Sequence, residues 1–180
     1  MKNTIVIIAF LLVSNTFFAQ QSVFDKFDGL DDVTSVLVTK KMFQMMGNVK
    51  MDAKDKETQE FIQMTKKLNN LKVFTTSNPK IKADMKATTE KYLATAGLEE
   101  LMRVKEGSQN IRILVKSGAK ETQVKELLMF IEDGSAKNET VLMSLTGDFD
   151  LNELSVLTDK MNLPGGNVLN KGTKGSKGSK

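Results

Sequence analysis

Carboxylates, lysines and one tyrosine are the only side chains in this sequence equipped for ordinary acid–base work. Paired acids stand at Asp31-Asp32 and at Asp148 and Asp150, spacings that suit a bound cation or an acid/base couple. Each pair also has a purely structural reading. Asp150 lies three residues before Glu153, the pattern of a helix capping box, and Asp32 directly precedes a β-branched run. Asp25 and Asp28 before Gly29 fall short of a calcium loop, because Phe24 and Lys26 occupy ligand positions. Methionine is abundant, with Met42, Met45, Met46 and Met51 in one stretch; flexible thioethers suit adaptable apolar grooves and soft metals. Met42, Met45 and Met46 at i, i+3, i+4 equally describe a core-facing helical stripe, and the reading adopted is core packing. No catalytic, metal or cofactor set emerges from these residues.

What is missing narrows the chemistry further. The 180 residues contain no Cys, no His and no Trp, and Tyr92 is the only tyrosine. Disulfide frameworks, thiolate nucleophiles, Cys/His metal sites and imidazole-dependent triads are therefore excluded. Of the 26 basic residues, Lys2 lies near the start and four lysines lie in residues 167–180, leaving a body that almost balances its 22 acids. Arginine, with its bidentate fork for phosphate and base edges, occurs only at Arg103 and Arg112, so no nucleic-acid partner is expected. The glycines and lysines of the tail do not form a P-loop.

Residues 1–19 read as a secretory signal peptide. Lys2 gives a positive start, residues 5–13 form an apolar run, and Ala19-Gln20 is the expected cleavage point, although Phe17 is large for the −3 place. The run is shorter than the ~20 residues of a membrane span, and no Cys follows it for lipid attachment. The expected location is the periplasm or the outside of the cell. Residues 167–180 repeat Lys-Gly-Ser/Thr; such a tail cannot bury a core and is expected to be disordered, a solubilising segment capable of weak contact with an anionic membrane surface.

Residues 20–166 must then supply the elements that position any site. Phe24, Phe27 and Leu30 suggest a short N-terminal helix, residues 33–38 a strand, and residues 40–46 a helix stopped by Gly47. Residues 52–70 read as a polar helix with Phe61, Met64 and Leu68 on one face, and residues 71–76 as a strand. Asn78-Pro79 caps a helix carrying Ile81, Met85, Thr88 and Tyr92, which Gly97 ends. The period then changes to two: residues 101–105 and 110–116 form a hairpin, and residues 124–132 and 140–147 a second pair. In residues 124–132 helix propensity competes with strand, and the second half is assigned to strand. A last helix follows Asp150, with Leu154, Leu157 and Met161 on its apolar face. The order predicts a single α+β domain with a mainly antiparallel sheet and helices packed on one face.

With these elements in place the chain resembles the family called domain of unknown function 4252. The resemblance rests on the leader, on residues 32–43 (a strand turning into a Met/Phe-bearing helix), on residues 71–77 and on the run 111–116, and covers roughly residues 22–160. It implies a small exported protein typical of the Bacteroidota, with a link to envelope signalling, and it carries over no site residues and no cofactor. The expected function is non-enzymatic: binding another envelope protein through a sheet edge or a Met-lined groove. Two alternatives stay open, a small-ligand or lipid binder using a cavity between sheet and helices, and a carboxylate-dependent hydrolase built on Asp148 and Asp150.

Overall fold

The computed structural model describes residues 22–48, 56–120, 122–134 and 138–161. The expected leader with its Ala19-Gln20 cleavage point, Met51 and the basic tail lie outside the described residues. Six strands form one antiparallel sheet in the order β1-β2-β6-β5-β4-β3: β1 Thr34–Thr39, β2 Leu68–Thr76, β3 Glu99–Glu106, β4 Gln109–Ser117, β5 Gln123–Asp133 and β6 Thr140–Asp150. Helices α1 (Lys40–Gly47) and α2 (Lys56–Thr65) join β1 to β2, α3 (Pro79–Ala96) joins β2 to β3, and α4 (Leu154–Met161) follows β6. The α+β class and the antiparallel sheet are as the periodicity predicts.

The helices do not share one face. Phe43 of α1, Met64 of α2, and Leu154 and Leu157 of α4 pack on Leu71, Val73, Ile113, Leu127, Met129, Met143 and Leu145. On the other face, Met85 of α3 joins Phe24 and Phe27 of the N-terminal turn over Phe74, Leu114, Leu128, Phe130 and Leu142. The cause lies in β5, where Leu127, Leu128, Met129, Phe130 and Ile131 are all buried. An uninterrupted apolar strand points side chains both ways and must be covered on both sides. Burial of this apolar run on both faces of the sheet overrides the helix propensity of Lys125-Glu126-Leu127, so the whole segment is strand.

Local signals place the helix ends. Asn78 Oδ1 accepts from the backbone N–H groups of Lys80 at 2.9 Å and Ile81 at 3.4 Å, and Pro79 occupies the first helical position. Gly97 ends α3 at φ 65°, a left-handed conformation that costs glycine no Cβ clash. Several local features depart from the sequence reading. The N-terminal segment is a single 3-10 turn, Asp25–Phe27, which buries Phe24 and Phe27 and leaves Leu30 exposed. Helix α2 stops at Thr65, because residues from Leu68 onward pair with β6 as strand. Asp150 caps the turn after β6 by accepting from Asn152 N–H at 2.8 Å, whereas Glu153 turns away to an ion pair with Lys67 at 2.8 Å, so the reciprocal box does not form.

Candidate functional site

Of the acidic pairs singled out by spacing, Asp32, Asp148 and Asp150 are held in structural roles. Asp32 Oδ2 accepts from the side-chain amide of Asn78 at 2.7 Å, the residue that caps α3, and the Asp32 carbonyl accepts from the Thr76 hydroxyl at 2.6 Å. Asp31 and Asp32 border an open polar depression of about 410 Å³ with Glu139 at its rim. Asp148 pairs with Lys125 at 2.9 Å and accepts from Gln123. The Lys125 ammonium beside it holds its carboxyl below the usual aspartate range. Asp150 accepts from Thr122 at 2.6 Å and from Asn152; partial burial works against ionisation, but these bonds prevail and its carboxyl too stays low. A low, hydrogen-bonded carboxylate is a poor proton donor or acceptor near neutrality. Asp25 and Asp28 tie down the N-terminal turn, Asp25 through Lys72 and Asp28 through the Ser35 hydroxyl at 2.7 Å. Among the described residues no three acids are grouped so as to hold a metal ion, and no helix is long and apolar enough to cross a membrane.

The methionines of α1 correct the core-packing expectation. Met42 and Met45 are 51% and 57% exposed, while Phe43 and Gly47 are buried and Met46 is partly so. Two overlapping i, i+3, i+4 stripes compete for the sheet, and the one led by Phe43 wins because the ring buries more apolar area than a thioether chain. The displaced methionines therefore face outward, on the helix that follows directly from the edge strand β1.

The two sheet edges differ sharply. β3 carries five charged residues in eight (Glu99, Glu100, Arg103, Lys105 and Glu106), and its register slips between Glu100 and Met102. Charge and irregularity of this kind blunt an edge against further pairing. β1, Thr-Ser-Val-Leu-Val-Thr, has no charge and no proline, and it pairs with β2 without a register slip. Val36 and Leu37 stand on opposite faces of this strand, 45% and 41% exposed. Among the described residues no strand lies beyond it. At the end of β1 the surface turns basic, with Lys40 and Lys41 exposed and a shallow depression of about 350 Å³ between Lys41, Gln44, Met45, Asn48 and Lys66.

A second site, absent from the sequence reading, lies on the sheet face under the N-terminal turn. The Tyr92 hydroxyl of α3 donates to the Glu126 carboxylate of β5, at 2.8 Å and 2.9 Å from its two oxygens. Glu126 is only 9% exposed, in the middle of the sheet. Burial holds its carboxyl above the usual glutamate range, and the Tyr92 hydrogen bond and the Lys116 charge offset only part of that. Burial, and then the carboxylate itself, raise the Tyr92 phenol, which stays a donor. The available signal was Glu126 standing two and four residues before Leu128 and Phe130 in a strand: that period aims a carboxylate at the covered face.

The sign of the resulting pH dependence follows from linkage. A carboxyl whose folded-state pKa is raised binds more protons folded than unfolded, so its ionisation costs stability above its ordinary value of 4.5. That loss is recovered as pH falls back through the folded-state value. Glu126→Gln keeps an acceptor for Tyr92 without the buried charge. It is expected to raise the unfolding temperature at pH 7 by roughly 2–4 °C, with the gain vanishing near pH ~4. Calorimetry of both proteins across that pH range checks the prediction, and an equal gain at every pH would contradict the assigned cause.

A protein-family model described as domain of unknown function (DUF4252) matches residues 27–157, a span running from the N-terminal turn through all six strands into α4. No curated protein and no solved structure matches the chain.

Proposed function

The chain belongs to the DUF4252 family, and from that premise we propose that it is an exported, non-enzymatic binding domain that takes up an extended strand of a partner protein along β1. The carrying observation is the contrast between the guarded edge β3 and the unguarded, uncharged β1. Strand addition draws its affinity from main-chain hydrogen bonds and its selectivity from the side chains on either side. Here Val36 and Leu37 offer an apolar contact on each face, and Met42 and Met45 add adaptable surface beside them. Lys40, Lys41 and Lys66 then call for acidic residues in the partner next to its apolar, β-branched stretch. Export is supported by the leader-like residues 1–19, with their apolar run and small residue before Gln20. The engagement of Asp32, Asp148 and Asp150 in caps and ion pairs supports contact over catalysis.

The test is photo-crosslinking in intact cells from a probe at position 37, with a probe at Leu101 of β3, which is somewhat more exposed, as control. One partner is expected, crosslinked from position 37 alone and through an extended, acid-flanked segment. The double substitution Val36→Lys and Leu37→Lys puts charge on both faces of the edge and is expected to weaken capture about tenfold or more while leaving the unfolding transition in place. Equal crosslinking from both edges, or capture untouched by the two lysines, would refute the reading.

A further inference from the structure

We infer that the cleft beneath the N-terminal turn is a binding site for a small organic ammonium ion, held by Glu126 against the floor of the sheet. The cleft, about 360 Å³, is lined by Ser22 and Val23 from the turn, Tyr92 from α3 and a set of polar side chains on three adjacent strands. Its volume falls in the range of small-ligand sites, at the lower end.

Strand register shows how this floor departs from the core around it. Across β2, β6 and β5 one row of the covered face reads Phe74, Leu142, Phe130, all apolar. The next row reads Lys72, Ser144, Leu128, and the one after it Asn70, Thr146, Glu126. Directly behind these positions the opposite face stays apolar, with Leu71, Leu145 and Leu127 fully buried. The polar rows are therefore not the fraying end of the sheet. Glu126 and Ser144 are buried there, Lys72 and Thr146 half-buried and Asn70 exposed at the rim, so two buried polar side chains are set into a sheet that is hydrophobic on its other side, where a packing role alone would favour apolar residues.

The charge balance of the cleft selects the ligand. Lys72 and Glu126 are its charged lining residues, and Lys72 is neutralised by Asp25. Glu126 accepts a hydrogen bond from one donor, the Tyr92 hydroxyl, and a carboxylate has room for about four donors. Its neighbour across the ladder, Lys116, is exposed and lies outside the cleft lining. A primary ammonium brings three donors and one positive charge. Glu126, the Thr146 hydroxyl and the Asn70 amide oxygen supply acceptors of the matching kind from one row, and the Tyr92 ring offers a π-surface that favours a cation. A neutral polyol would satisfy the hydroxyls but bring no positive charge to the buried carboxylate, which the Lys116 charge offsets only in part; an anion would meet it with repulsion.

The experiment is a heteronuclear NMR titration of the full mature chain with three amines, ethanolamine, serinol and glucosamine, each run against its neutral counterpart, ethylene glycol, glycerol or glucose. At least one amine is expected to shift the signals of Asn70, Tyr92, Glu126, Ser144 and Thr146 together and saturably. Its neutral counterpart and the Glu126→Gln protein are each expected to bind about tenfold more weakly or worse. Tyr92→Phe, which keeps the ring and frees the carboxylate, is expected to retain binding, which separates loss of charge from loss of fold. The inference is overturned if no amine moves these signals, if amine and neutral partner bind alike, if Glu126→Gln binds as well as the original chain, or if the shifts fall on the exposed acids Asp31, Asp32 and Glu139 instead.

Discussion

Phe74→Ala is expected to lower the free energy of unfolding by about 3–5 kcal/mol, the range for deleting a fully buried ring. Phe74 has no exposed surface and lies on β2, the strand that connects the edge strand to the four-strand meander. Its ring is 5.9 Å from that of Phe27, and Leu142 stands across from it on β6. The hole left by alanine would therefore open between the sheet and the N-terminal turn. That turn is otherwise fastened by the Lys72–Asp25 pair, the Lys26–Asp84 pair at 2.7 Å and the Phe24–Tyr92 ring contact. The Lys26–Asp84 pair is half exposed and worth little, so the apolar contacts carry the docking. Because the same turn roofs the Glu126 cleft, loss of Phe74 should loosen the cleft before it loosens the opposite face. Urea denaturation gives the energy, and hydrogen exchange gives the order of opening. A loss below ~1 kcal/mol, or equal early exchange in α4, would show that the turn is not coupled to the sheet in this way.

The second large effect is expected at Gly147. A methyl group there would lie 2.6 Å from the Lys67 carbonyl oxygen and 3.0 Å from Leu68 Cα, both backbone atoms. Neither can easily retreat. The Lys67 carbonyl accepts from Asp148 N–H at 2.9 Å, and Leu68 is paired with Gly147 where the register of β2 slips before Asn70. Gly147→Ala should cost about 1–3 kcal/mol or more through forced backbone displacement. The damage should be felt at the start of β2 and at the Lys67–Glu153 pair. Gly134→Ala is the matched control, since a Cβ there meets only ordinary contacts at 3.6 Å and beyond. Equal stability of the two variants would dismiss the argument.

Gly147 also illustrates how far sequence reasoning reaches. A strand ending at residue 147 is the natural reading of a glycine after Leu145 and Thr146. The strand instead runs on to Asp150, because the missing side chain lets the chain at Lys67 pass close by. Elements governed by neighbours in sequence were readable: the Asn78-Pro79 cap, the Gly97 stop and the hairpin joining β3 to β4. The roles of Met42 and Met45 were not, because two helical stripes of similar hydrophobicity overlapped and only the sheet's position chose between them. Glu126 was hidden by its flanks, whose helix propensity masked the period-two pattern.

The composition of the chain by itself excluded thiol and imidazole chemistry, and its periodicities settled the class of most elements, since both depend on residue types and on neighbours a few places away. Tertiary structure alone decided that both sheet faces are covered, that among the described residues β1 is left open while β3 is guarded, and that Tyr92 meets Glu126 across 34 residues of chain. Strand order and register bring such groups together. They are set by the burial of the whole apolar surface at once, a quantity that no local stretch of sequence carries.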